Sequence, residues 1–552
     1  MESQRSLLFI ALIAVSFLLY EQWQIDHAPN NANNPVTQQV NNTANSNDDF
    51  IPASSKETQT SVDTNNHKNN AQFISVKTDV LDVEINTQGG DIVNAKLLKY
   101  ETKQGGKIPF TLLEKKPHEY IAQSGLTGTN GIDRTIPGRP IYQTTKTAFN
   151  LSNQDSITVD LSYTDEQALT VIKRFTFKKS SYAITVDYII TNNTNQNASV
   201  QVYGQLRQST LKNQSSGMMP TSAYWGAAYS TVDDKYQKYK FSEIEDKNLN
   251  ETTQGGWIAM IQHYFVTAWI PDKDQSNSLY STYSTNSNEA VIGFKAPAIA
   301  IAPHTKINTS TVLYIGPKDQ KTMATIAKGL DLTVDYGFLF FISQPLFWLL
   351  VKIHSIVGNW GFAIIVITLI VKGAMYPLTK AQYSSMARMR ELQPKIASLK
   401  DRFGSDRQKM SQAMMELYKK EKVNPAGGCL PLLVQMPIFM ALYWVFLESV
   451  ELRHATFGLW IQDLSARDPY FILPIIYGIT MFVMQKLQPM TVQDPMQQKM
   501  MQYMPILFTF FFFMFPSGLV LYWVVSNIIS IVQMKIIFAG IAKKKKLSNK
   551  EA

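Results

Sequence analysis

The stretch "AIIVITLIVKGAMYPLTKAQ", Ala363 to Gln382, decides how this chain is read. Nine apolar or near-apolar residues lead into Lys372, and the chain stays mostly apolar to Tyr376 and Pro377. Such a run reads as a membrane span, yet a lysine at the centre of a spanning helix costs roughly 2.5–3.5 kcal/mol on insertion scales. Lys372 lies four residues before Tyr376, roughly 6 Å from the helix end at 1.5 Å per residue. Two explanations stay open. The ammonium snorkels to the nearby surface, or it faces a wet cavity inside the bundle. Thr368, one turn earlier on the same face, favours a polar stripe. In the last apolar segment Tyr522, Ser526, Asn527 and Ser530 form a second polar patch. It reads either as bonding between helices or, with the first stripe, as a hydrophilic groove.

Working outward, the 552 residues carry 45% hydrophobic and 17% charged side chains, with a net charge of +9. The charge is localised. Lys380 to Lys422 holds 11 Lys/Arg against 5 Asp/Glu, the tail from Lys543 adds about four net positives, and the two account for the whole surplus. Both stretches adjoin apolar segments, the pattern of loops on the cytoplasmic side. Nucleic-acid binding is the rival reading of basic runs, but no nucleic-acid motif accompanies them. A single cysteine, Cys429, excludes an intrachain disulfide.

The N-terminus, "MESQRSLLFIALIAVSFLLY", places Arg5 before an apolar run and has no small-x-small site after it. An uncleaved anchor over residues 1–20 is favoured over a cleaved signal peptide. Residues 21–70, rich in Asn, Gln, Thr and Ser, bury too little apolar surface to fold and read as a linker. From 71 the period becomes two. Leu81, Val83 and Ile85 alternate with polar residues. Leu169, Val171, Phe175 and Phe177 share one parity, as do Ile184, Val186, Tyr188 and Ile190. Gly89-Gly90, Gly105-Gly106 and Asn192-Asn193 punctuate such runs. This predicts an all-β sandwich over 71–330, closed by a short helix at about 318–330.

Residues 331–354, with Pro345, Lys352 and His354, suit an interfacial helix better than a span. Spans are expected at about 357–376, 430–450, 470–486, 503–515 and 518–538. The anchor makes six, around a core over 355–542. An even number with the N-terminus inside puts the basic tail, 543–552, inside as well. The β domain then faces the other side.

Between the second and third spans, residues 380–424 predict a helical hairpin. Met386, Met389, Leu392, Ile396, Leu399 and Phe403 mark one apolar face. Gly404 is a plausible stop, Ser405 with Gln408 reads as a capping box, and Asp406 suits a helix start. Met410, Met414 and Leu417 mark the second helix. Arg388 and Arg390, on the first helix, belong to the hairpin's basic side. The methionines either pack the two helices together or accept varied apolar partners. The basic side suits lipid headgroups.

No phosphate-binding loop, zinc-protease motif, Cys pair or nucleophile elbow is present, and the seven histidines are scattered. Neither an enzyme, a metal site nor a cofactor is expected. Three functions compete. The first, which only a family resemblance implies, is an insertase for membrane proteins. The second is a solute transporter, against which stand the missing inverted repeat and the missing mid-span acid. The third is an assembly factor acting through its β domain.

Four stretches carry a family resemblance: "WGFAIIVITLIVKGAMYPLTKAQYSSMARMRELQPKI" (360–396), "EKVNPAGGCLPLLVQMPIFMALYWVF" (421–446), "DPMQQKMMQYMPILFTFFFFMFPSGLVLYWVVSN" (494–527) and "GGWIAMIQHYFVTAWIP" (255–271). Together they resemble the YidC family of membrane protein insertases, in its Gram-negative form with a large periplasmic domain. The resemblance implies a polytopic α-helical membrane protein of six spans with a five-helix insertase core, in the inner membrane. It implies a groove open to cytoplasm and lipid, with Lys372, Thr368, Tyr522, Trp523, Ser526 and Asn527 meeting clients. The family's groove charge is usually arginine and its aromatic pair looks like two tyrosines. Lys372 and Trp523 depart from that, which weakens any claim of bidentate carboxylate binding. The implied partners are nascent membrane proteins, the Sec translocon, the ribosome at the hairpin, and the lipid bilayer. No nucleic-acid substrate is implied.

Overall fold

Leu169, Val171, Phe175 and Phe177 all turn inward from one strand, Leu169–Lys178, whose other parity is half-buried. The neighbouring strand Ala183–Asn192 buries Ile184, Val186, Tyr188 and Ile190 in the same way. Successive strand side chains point to opposite faces, so a period of two in the sequence becomes one buried face. In this computed structural model the described residues are 51–52, 71–133, 138–165, 169–211, 224–403, 406–421, 430–487 and 495–551. The expected anchor at 1–20, almost all of the expected linker, Gly404, Ser405 and Cys429 lie outside them.

The described chain divides into two units. The β unit runs to Phe340 and includes Leu447–Arg453. Its strands form one sheet of eleven and one of eight. Adjacent strands are antiparallel except where Ser75–Lys77 runs parallel to Ala148–Asn150. The side chains between the sheets form one hydrophobic core, including Val83, Val171, Phe175, Val186, Phe294 and Leu313. The predicted β sandwich is therefore the observed fold. Two short helices accompany it, α1 (Phe241–Asp246) and α2 (Gln320–Ile326). Asp319 caps α2 by accepting from the Lys321 and Thr322 amides, each an otherwise unpaired donor.

One charged residue shares the inward parity. Lys173, between Val171 and Phe175, is fully buried. Its ammonium crosses to the other sheet and donates to the Gly89 carbonyl at 3.0 Å and the Ser124 carbonyl at 2.8 Å. Arg139 lies beside it, paired with Asp91 and Asp133. Burial pushes the Lys173 ammonium down to about 7, against the pull of Asp91.

The helical unit comprises Phe341–Phe446 and His454–Ala552. Its elements are α3 (Phe340–Val357), α4 (Trp360–Ala374), α5 (Tyr376–Glu391), α6 (Gln393–Phe403), α7 (Arg407–Lys420), α8 (Leu430–Glu448), α9 (Ile472–Leu487), α10 (Pro495–Phe512) and α11 (Ser517–Glu551). These helices match the five expected spans after the anchor in position. Length and composition are stricter. Two stretches are long and apolar enough to cross a membrane, Gly337–Val357 and Ser517–Lys543. The pair α4 and α5 makes a third if its 63° bend lies within one span. Val434–Glu448, Ile472–Leu487 and Gln502–Phe512 are shorter apolar helices. Six spans are thus not reproduced by this measure among the described residues.

The segment expected as interfacial continues helical through Ile356 and Val357, past the basic His354, so its apolar run reaches 21 residues from Gly337. The cap of α7 is Asp406, whose carboxylate accepts from the Gln408 and Lys409 amides at 3.1 Å each. The α4–α5 bend falls where Pro377 enters the first turn of α5, a position that tolerates its missing N–H. The tail from Lys543 continues α11 as helix.

Candidate functional site

Lys372 sits in the last turn of α4 and is 7% exposed. Its ammonium donates to the Ser530 hydroxyl on α11 at 3.0 Å and to Gln435 Oε1 on α8 at 3.3 Å. Among the described residues no carboxylate pairs with it. The Gln533 amide, one turn beyond Ser530, donates to the Lys372 carbonyl at 3.2 Å. Among the described residues, a buried ammonium is thus held by neutral oxygens alone.

Helical spacing explains the assembly. Tyr522, Ser526, Ser530 and Gln533 recur at steps of four, four and three, so they share one face of α11. All four are buried. Gln435 bridges two members of the site, because its side chain also hydrogen-bonds the Tyr522 hydroxyl. Asn527 is one step round the helix and donates to the Thr480 hydroxyl of α9 at 3.2 Å. Thr368 is buried but turned away from this exchange. Its hydroxyl donates to the Ile364 carbonyl of its own helix at 2.5 Å. Ser526 is buried on the shared face.

Trp523 belongs to an aromatic wall. Its ring meets Phe439 edge-on at 4.6 Å, and Tyr477 and Phe512 at 5.9 and 5.7 Å. Tyr522 stacks on Phe439 at 6.4 Å. The Trp523 indole N–H is buried with no acceptor among the described residues.

The structure therefore brings Lys372, Ser530, Gln435 and Tyr522 into one connected group, with Asn527 and Thr480 alongside. Gln435, Thr480 and Gln533 escape a reading from sequence. Gln435 stands alone in an apolar run beside Pro437, and a lone amide in a span is the signal that could have found it.

The hairpin residues fall into two clusters. Met389 packs with Leu392, Ile396, Met414, Leu417 and Tyr418, joining the helices of the hairpin. Met386 packs instead with Tyr383, Met534 and Ile537. Met410 is half-buried, while Arg388 and Arg390 are exposed. Among the described residues no group of three His, Cys, Asp or Glu side chains is placed to hold a metal.

Two family models match the chain. The YidC periplasmic domain covers residues 73–349, and the 60Kd inner membrane protein covers residues 352–545. A protein of Pseudoalteromonas atlantica named "Membrane protein insertase YidC" is 54% identical over 547 residues, covering 99% of each chain. Proteins of the same name from Aeromonas hydrophila and Shewanella sp. (strain MR-7) are 52% and 53% identical, again over 99% of each chain.

Proposed function

The chain belongs to the YidC family of membrane protein insertases, and from that premise we propose how its own residues act. It is an inner-membrane insertase that takes nascent membrane proteins as clients. The polar face around Lys372 receives the polar, often acidic, part of a client. The client's apolar segment leaves into lipid along α8 and α10. Exposed Tyr503, Ile506, Leu507, Phe510 and Phe511 on α10, and Val434 and Met436 on α8, are the surfaces for that exit.

One observation carries this reading. The Lys372 ammonium is buried among hydrogen-bonding oxygens and lacks a counter-charge among the described residues. A charge in a low-dielectric site attracts an opposite charge far more strongly than water allows. A client carboxylate supplies the missing charge, in competition with Ser530 and Gln435. That competition keeps the contact weak, as release requires. Short helices help: α9 has 16 residues, roughly 24 Å at 1.5 Å per residue, against a hydrocarbon core of about 30 Å. A locally thin membrane lowers the cost of moving polar client residues across.

The positive-inside pattern puts the 380–424 hairpin and both termini in the cytoplasm and the β unit in the periplasm. The exposed Arg388 and Arg390 are suited to the ribosome or to anionic headgroups, and the insertase works alone or beside the Sec translocon. In this mechanism no covalent step occurs.

The test is insertion of a single-span client with an acidic periplasmic tail into liposomes that hold this protein alone. Wild type should insert it and Lys372→Ala should not. Equal insertion by both would remove the groove charge from the mechanism. Failure of both would assign the activity to an obligatory partner.

A further inference from the structure

Lys372 offers more donors than the protein uses. An ammonium carries three N–H groups. Two of them meet acceptors, the Ser530 hydroxyl at 3.0 Å and Gln435 Oε1 at 3.3 Å. The third has no acceptor among the described residues, although Lys372 is only 7% exposed. One turn beyond Ser530, Gln533 is 8% exposed. Its Nε2 donates to the Lys372 carbonyl, while its Oε1 is buried with no donor among the described residues. Side chains of opposite charge are scarce in the helices of this bundle. Helices α4, α9 and α10 contain no Asp or Glu. Helices α5, α8 and α11 contain one each, Glu391, Glu448 and Glu551, in every case the last residue of its helix.

A buried charge is costly until an opposite charge joins it, and neutral oxygens solvate Lys372 without cancelling it. We propose that the Lys372 site holds an exchangeable monovalent anion of the chloride kind between clients. The anion accepts the third ammonium proton, and a water of its shell donates to Gln533 Oε1. The chemistry selects this class. One negative charge matches one ammonium, whereas a divalent ion leaves a surplus charge buried. A small halide also fits beside the two oxygens that already approach the ammonium. The inference rests on the reading of Lys372 as the client-binding charge and names what an acidic client displaces there. Client binding becomes an exchange of anions, so halide concentration regulates insertion of acidic clients. A lipid phosphate offers a negative charge from a second source, and the test separates the two.

The experiment uses the full chain in liposomes of phosphatidylcholine. Chloride is exchanged for gluconate at a constant ionic strength of about 0.15 M, which holds screening equal. Broadening of the chloride NMR line reports binding, and insertion of Asp-tailed and Asn-tailed clients is scored in parallel. Wild type should broaden the line and Lys372→Gln should not. A peptide with the Asp-rich tail should abolish the broadening, and its Asn counterpart should leave it. Chloride should slow insertion of the Asp-tailed client at least threefold relative to gluconate and leave the Asn-tailed client unchanged. Equal broadening by wild type and Lys372→Gln would overturn the inference. Equal slowing of both clients would overturn it too, because a general salt effect acts on both. If chloride changes nothing but added phosphatidylglycerol slows the Asp-tailed client, the counter-ion is a lipid phosphate and the halide is rejected. Loss of broadening in Lys372→Gln with normal insertion of the Asp-tailed client would overturn the reading of the groove charge instead, and the anion site would stand. The peptide competition uses wild type alone, so the inference stays open to refutation if Lys372→Gln fails to fold.

Discussion

The Lys372 ammonium and the Ser530 hydroxyl, 158 positions apart in the chain, lie 3.0 Å from one another between α4 and α11. Among the described residues, the ammonium's other side-chain acceptor is the Gln435 amide. Both are neutral, so they solvate the charge without cancelling it. Removing one acceptor leaves the charge hungrier for an anion. Ser530→Ala should therefore raise the ratio of acidic-client to neutral-client insertion. A hydrogen bond to a charged group is worth about 1.5–3 kcal/mol, so the change should reach several-fold. Parallel insertion assays with Asp-tailed and Asn-tailed clients measure it, and a falling ratio would contradict the assignment.

Lys372→Arg should keep most of the activity. The charge stays, and the family resemblance places arginine there. The guanidinium forks and is planar, so it can hold a carboxylate through two parallel bonds. Acidic clients should consequently dwell longer at the site in Lys372→Arg than in wild type. Single-turnover release kinetics check this.

Lys173→Met should destabilise the β unit without touching the groove. The substitution removes one of two donors from the Gly89 and Ser124 carbonyls, which keep the Arg139 guanidinium at 3.3 and 2.9 Å. Each hydrogen bond lost is worth about 0.5–1.5 kcal/mol net. In a domain of this size each kcal/mol lowers Tm by about 2–4 °C. Calorimetry of the full chain, following the β unit's transition, reads the shift.

Glu451 makes the Leu447–Arg453 segment sensitive to pH. Burial, aided by Asp319, raises its carboxyl from 4.5 to about 7. The folded pKa is above the unfolded one, so the favourable contribution is complete below about 4.5 and is lost as pH rises through about 7. The Leu447–Arg453 segment should open more readily at pH 8 than at pH 5. Glu451→Gln should flatten that dependence. Labelling of a thiol introduced at position 450 across this range provides the measurement, and an opposite slope would refute it.

Asp406→Ala should loosen the start of α7. Its carboxylate is the acceptor for the Gln408 and Lys409 amides, two donors with no partner inside the helix. Hydrogen exchange at those two amides should accelerate several-fold, while α6 is unaffected.

Much of this was legible in the chain. Period two exposed the sandwich because alternation is set by the strand backbone, as at Leu81, Val83 and Ile85. The polar stripe at Ser526 and Ser530 was legible because helical spacing is fixed at 3.6 residues per turn. Lys173 was not legible as buried, since a charge on an inward position is tolerated only where carbonyls from another strand converge on it. Thr368 shared a face with Lys372, yet its hydroxyl closes on its own helix.

The sequence by itself determined the kinds of element, their order and their polar faces, because those follow from residues within a few positions of each other. The tertiary structure alone decided which faces meet. That Gln435 links Lys372 to Tyr522, or that Glu448 finds Lys318 from 130 positions away, depends on packing between distant elements. Such pairs carry no local spacing to betray them, and each exists because a buried charge or amide is costly until a partner satisfies it.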